Sequence, residues 1–193
     1  MKSLKAAIRE LQDRREERFS RQRRLIACGE AGLLRLEPAL YEGPDVTLRS
    51  GVRVPHAARI GELHLDSGKT AEYFRDPPMR ARVRLFRDAA ASLRGAARWL
   101  AENPVGREVV GIRSVTLLDR EMTHFGFEVL PLPTWPWILV GIHMRWLSYL
   151  YRDERRKERR TDAKTFITSL TPCQAWMSRE EFLAKYWAEA PPT

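Results

Sequence analysis

The hydrophobic period of this chain changes at Gly32 and again at Met79, and few architectures accommodate both changes. From Gly32 to Ser67, apolar and polar residues alternate. Leu34, Leu36, Val46, Leu48, Val52 and Val54 fall at strand spacing, with EGPD and RSG as turns between them. The last run, IGELHLD over Ile60 to Asp66, points Leu63 and Leu65 one way and Glu62, His64 and Asp66 the other. From Met79 to Asn103 the spacing becomes helical. Val83, Leu85, Phe86, Ala90, Leu93, Ala97 and Leu100 supply a core face, and Pro78 suits the first turn. Strands with one apolar face, followed by a long amphipathic helix able to cover them, predict an α+β domain.

The flanking segments fit the same plan. VVGIRSVT (Val109 to Thr116) reads as a strand, and LLDREMTHFG as a short helix ended by Gly126. FEVLPLP reads as a strand stopped by Pro131 and Pro133, KTFITS as extended chain, and CQAWM as a final strand. SREEFLAKYWAEA is a helix with a capping box, Ser178 at the N-cap and Glu181 three residues on. Alternation of strand and helix in this half predicts a mixed sheet flanked by helices. Ahead of it, Ser3 to Ala27 reads as a helix. It is rich in strong helix formers and carries Glu10–Arg14 and Glu17–Arg21 pairs and a thin apolar stripe of Leu4, Ile8, Leu11, Phe19 and Ile26. Gly29 and Gly32 are expected to end it. The chain therefore divides into a basic N-terminal helix, 1–28, and a single α+β domain, 29–193.

Charge narrows the partners. Lysine and arginine number 34 against 25 acidic residues, a net charge of +9, which favours an anionic partner: phospholipid, glycan-lipid or nucleic acid. The two cysteines, Cys28 and Cys173, form no CxxC pair and signal neither a zinc site nor a disulfide framework. No leader-type apolar segment opens the chain, and no apolar run reaches the ~20 residues of a membrane span. The expectation is a cytoplasmic protein working at the inner membrane surface.

The stretch TWPWILVGIHMRWLSYLYRDERRKERR, residues 134–160, sharpens this. Its first half is apolar and aromatic, interrupted by His143 and Arg145, and its second half is charged. A helix apolar nearly all round belongs in a core. Tryptophans and tyrosines followed by cations also suit an interfacial helix on anionic lipid. On that reading Trp135, Trp137 and Tyr151 are membrane-contact residues, and Arg152, Arg155, Arg156, Lys157, Arg159 and Arg160 hold the anionic ligand. The acids interleaved with these arginines suit a solvated, salt-bridged helix better than a nucleic-acid arm.

Two groups have the residue types for chemistry. His64 between Glu62 and Asp66 suits a general base or a metal ligand, and equally a polar outer strand face. Thr116, at a strand end, and Arg120, in the first turn of the following helix, suit an anion site, and equally a helix cap with a surface ion pair. No Walker loop, nucleophile elbow, HExxH or paired CxxC occurs, so neither cofactor nor metal is implied and no reaction class is marked.

The order and spacing of four segments resemble the bacterial YkoP-like domain family. They are Glu62-Leu63-His64-Leu65-Asp66; Arg120 with Phe125-Gly126-Phe127 and Pro131; the aromatic helix; and the last strand running into Ser178-Arg179-Glu180-Glu181. Ser67 stands where the family often has asparagine, and the likeness spans roughly Gly29 to Trp187. Such domains occur alone or fused to polysaccharide deacetylases, so the resemblance implies an accessory role near envelope glycan or lipid. A looser likeness is to the C-terminal half of the GNAT acetyltransferase fold, but FRDPPMRAR replaces its glycine-rich loop, and without glycines the backbone cannot close on a pyrophosphate. The expectation is thus a binding protein for anionic lipid or glycan-lipid at the cytoplasmic membrane face. The alternatives are a nucleic-acid-binding protein and an unusual GNAT-like transferase.

Overall fold

A computed structural model describes residues 4–73, 76–116, 118–132 and 172–187. Helix α1 (Leu4–Gln22) leads into strand β1 (Ile26–Ala27). Then come β2 (Leu34–Leu40), the short strands β3 (Val46–Thr47) and β4 (Arg53–Val54), and β5 (Arg59–Leu65). Helices α2 (Ser67–Tyr73), α3 (Pro78–Glu102) and α4 (Pro104–Arg107) precede β6 (Gly111–Thr116). Helix α5 (Asp119–His124), β7 (Glu128–Pro131), β8 (Cys173–Ser178) and α6 (Arg179–Tyr186) complete the described elements.

Six strands form one sheet in the order β1-β2-β5-β6-β8-β7, and β3 and β4 pair separately. β5 and β6 run parallel while their neighbours run antiparallel, so the sheet is mixed as the sequence predicts. A parallel pair needs a crossover, and α2, α3 and α4 provide it. Leu36, Leu63, Ile112, Ala175 and Met177 pack on one sheet face against Leu93, Ala96, Ala97 and Leu100 of α3 and Phe182 and Tyr186 of α6. Full burial of each large apolar side chain here is worth about 1.5–3 kcal/mol. On the opposite face a smaller cluster joins Tyr41, Leu48, Val54, Ile60 and Trp176.

Three local outcomes differ from the sequence reading. The first helix ends at Gln22, not Ala27. Arg24 takes a left-handed φ of 52°, and Ile26 and Ala27 pair with Leu36 and Arg35 as a sheet edge. Strand pairing there outweighs helix propensity, which is a small bias per residue. The second is α2, which local sequence pattern does not mark, just as it does not mark α4. Asp66 lies just past β5 and caps this helix, its Oδ1 accepting from the Lys69 amide at 2.8 Å. The third is Val83, expected in the core and 63% exposed. The buried positions of α3 begin only at Asp88, so its N-terminal turns overhang the core.

The C-terminal end of α3 is fixed by close approach. A Cβ on Gly95 would lie 2.2 Å from the Gly29 nitrogen, and Gly29 itself adopts a φ of +67°. Gly126, with φ +85°, ends α5 where the sequence placed its terminator. The capping box of α6 is formed: Ser178 accepts from the Glu181 amide, and Glu181 accepts from the Ser178 amide at 3.2 Å.

Candidate functional site

Strand parity sorts the candidate residues onto faces. Glu37 opposes Glu62, Glu62 opposes Arg113, and Arg113 opposes Trp176, so these four share one face of the sheet with Arg35 and His64. This is the face opposite α3 and α6. Asp66 joins its edge through an ion pair with Arg35.

The centre of the polar face is a buried carboxylate. Glu37 is only 5% exposed and is held on both oxygens. Oε2 accepts from His64 Nε2 at 2.8 Å, and Oε1 accepts from Arg23 at 3.0 Å. A carboxylate only accepts, so His64 donates from Nε2, and Nδ1 is the ring nitrogen left for other contacts. Phe19 of α1 meets the His64 ring edge-on at 5.7 Å, and Ser20 accepts from Arg35. The arrangement clasps α1 to the sheet and fixes the imidazole. The sequence marks neither Glu37 nor Arg23, because their link to His64 crosses strands and a helix.

Beside this clasp lies Arg113. Its guanidinium faces the rings of Tyr41 at 5.5 Å and Trp176 at 5.7 Å, and its Nη1 is 3.6 Å from Glu62. Burial pushes the Tyr41 phenol above its ordinary pKa, so that ring stays neutral next to the cation. Among the described residues, Arg113 Nε, Gln174 Oε1 and Trp176 Nε1 are buried with no hydrogen-bond partner, all on this face. None of them was marked by the sequence reading.

Thr116 and Arg120 do not join this group. Thr116 is three residues beyond Arg113 and therefore faces the helix-covered side, where its hydroxyl accepts from the Leu118 amide at 3.0 Å. Arg120 lies exposed in α5, which packs toward α3 through His124 and Phe125 against Phe86. The structure thus brings Glu62 and His64 together, sets Asp66 at the edge as a helix cap, and leaves Thr116 and Arg120 on the other side. Trp135, Trp137, Tyr151, Arg152, Arg155, Arg156, Lys157, Arg159 and Arg160 lie outside the described residues, as does KTFITS.

No group of three or more histidine, cysteine or carboxylate side chains suited to a metal ion occurs among the described residues. Burial pushes the Cys28 thiol up to about 12 and Cys173 up to about 11, which keeps both protonated and unreactive near neutral pH. Among the described residues no helix is long and apolar enough to cross a membrane.

No curated protein and no solved structure matches the chain. The family model of the YkoP domain matches residues 5–186, a span that takes in α1 as well as the sheet and its helices, and the chain belongs to that family.

Proposed function

We propose that this protein binds an anionic lipid or glycan-lipid at the cytoplasmic face of the membrane, as an accessory of envelope metabolism. The observation that carries the reading is an unbalanced surface charge. Many acids are engaged by arginines: Glu10 with Arg14, Glu17 with Arg21, Asp45 with Arg53, Glu72 with Arg84, and Glu108 with Arg59. The guanidinium groups of exposed Arg15, Arg18, Arg80, Arg82, Arg98 and Arg120 have no carboxylate partner among the described residues. Such a surface attracts phosphate-bearing headgroups at about 1 kcal/mol per cation close to the membrane. Co-sedimentation with phosphatidylglycerol vesicles tests it. Binding is expected at low ionic strength and declines as salt screens the charges. Absence of binding at low salt, or binding equal on neutral phosphatidylcholine, overturns it.

A second reading rests on the His64–Glu37 pair. An imidazole oriented by a buried carboxylate is the arrangement a general base requires. In that case His64→Ala abolishes a reaction while leaving the melting temperature near that of the unsubstituted protein. A variant that unfolds assigns His64 to the clasp alone.

A further inference from the structure

The exposed surface of α3 carries more than charge. Met79 is 74% exposed and Val83 63%, and they stand one helical turn apart. Residues four apart on a helix are neighbours, so the two side chains form one continuous aliphatic patch. Half-buried Phe86, stacked on Phe125 at 5.4 Å, extends it along the same side. At about 100° per residue, Arg82 falls on one flank of this stripe and Arg80 and Arg87 on the other. Arg82 leans over the Phe86 ring at 5.7 Å, and neither Arg80 nor Arg82 has a carboxylate partner among the described residues.

Single exposed aliphatic residues are ordinary on protein surfaces. A paired aliphatic stripe bordered by the guanidinium groups of Arg80 and Arg82, which pair with no carboxylate among the described residues, is the pattern of an interfacial helix. A nucleic-acid backbone would reward the arginines but not the methionine and valine. A lipid interface rewards both: the aliphatic groups reach the acyl boundary while long arginine side chains reach back to phosphates. The overhang of α3 beyond the core leaves this stripe uncovered by the sheet.

We propose that the N-terminal half of α3 is the surface on which the protein seats against an anionic bilayer, with Met79 and Val83 entering the headgroup region and Arg80 and Arg82 engaging lipid phosphates. This rests on the lipid-binding reading above and names the face that performs it.

The full chain is tested on phosphatidylcholine vesicles with and without phosphatidylglycerol. Arg80→Gln with Arg82→Gln is expected to lower partitioning about thirtyfold and to flatten its salt dependence. Met79→Ser with Val83→Ser is expected to lower it about tenfold at every salt concentration. Arg49→Gln with Arg107→Gln, both exposed and outside α3, serves as the comparison and is expected to bind much as the unsubstituted protein does. An environment-sensitive fluorophore on Met79→Cys is expected to shift to the blue on anionic vesicles. These positions are exposed, so unchanged thermal melting shows that the variants fold. If the unsubstituted protein binds no vesicle, or binds only RNA or DNA, the lipid reading falls and this inference with it. If it binds vesicles but the α3 variants bind equally well, or the probe stays in water, the inference alone is overturned.

Discussion

Replacing Gly95 with alanine sets two physical effects against each other. Gly95 lies inside α3, where alanine is favoured over glycine by about 1 kcal/mol from helix propensity alone. The structure argues the opposite sign. The new methyl carbon would sit 2.2 Å from the Gly29 nitrogen and 2.8 Å from both the Cys28 carbonyl carbon and the Gly29 Cα. Carbon contacts are comfortable at about 3.5–4.0 Å. All three neighbours are backbone, so relief requires α3 to move off the turn that joins β1 to β2. That movement loosens Leu93, Ala96 and Ala97 from the sheet. Overpacking of this kind costs about 1–3 kcal/mol and sometimes more, and a rigid backbone neighbour places it at the upper end. Less the propensity gain, Gly95→Ala should destabilise the protein by about 2 kcal/mol or more. The assay is urea unfolding followed by far-ultraviolet circular dichroism, with the midpoint and slope fitted together. Gly68→Ala in α2, where the methyl group meets only the Asp66 carboxylate oxygen at 3.3 Å, should be neutral or stabilising by up to about 1 kcal/mol. A Gly95→Ala variant as stable as the original protein, or more stable, would refute the close crossing of α3 over the Gly29 turn.

Two further outcomes follow from the charged networks. Glu37→Ala removes the shared partner of His64 and Arg23. Because Arg23 is more than half exposed and solvent screens it, the expected loss is about 2 kcal/mol, not the larger figure of a wholly buried pair. Urea unfolding measures that loss, faster tryptic cleavage within α1 should accompany it, and unchanged stability would show that the clasp contributes nothing. Asp88 is opposed in its ionisation by burial, yet hydrogen bonds from Tyr73 and Arg87 outweigh this and hold its carboxyl below the ordinary pKa. A depressed folded-state pKa gives stability that is present above the unfolded value, about 3.9, and is lost as pH falls through the folded value. Asp88→Asn should therefore be less stable than the original protein at neutral pH, with the gap narrowing below about pH 4; a gap independent of pH would contradict this.

The parts of the fold that were legible in sequence rest on local physics. The alternating run through Leu34, Leu36 and Leu63, the apolar face of α3 from Leu93 to Leu100, the left-handed stop at Gly126 and the Ser178–Glu181 box depend on spacings within a few residues. Helix α2 was missed because Gly68 and Thr70 are weak helix formers, and only the Asp66 cap and its packing make it form. The candidate site was half legible. Glu62 and His64 announce themselves on one strand face, whereas Glu37, Arg23 and Arg113 reach that face from other elements.

By itself, then, the sequence determined the α+β class, the mixed character of the sheet, both ends of α3, the start of α6 and a surplus of positive charge. Each of these follows from nearest neighbours or from simple summation. The tertiary structure alone decided which charges cancel. Strand order sets Glu37 beneath His64 and Arg23, and parity turns Thr116 to the far side of the sheet. It also decided that Val83, apolar and at core spacing, stands outside beside Met79. Helical periodicity gives a residue its direction around the helix axis, but only the extent of the neighbouring sheet determines whether anything lies in that direction to bury it.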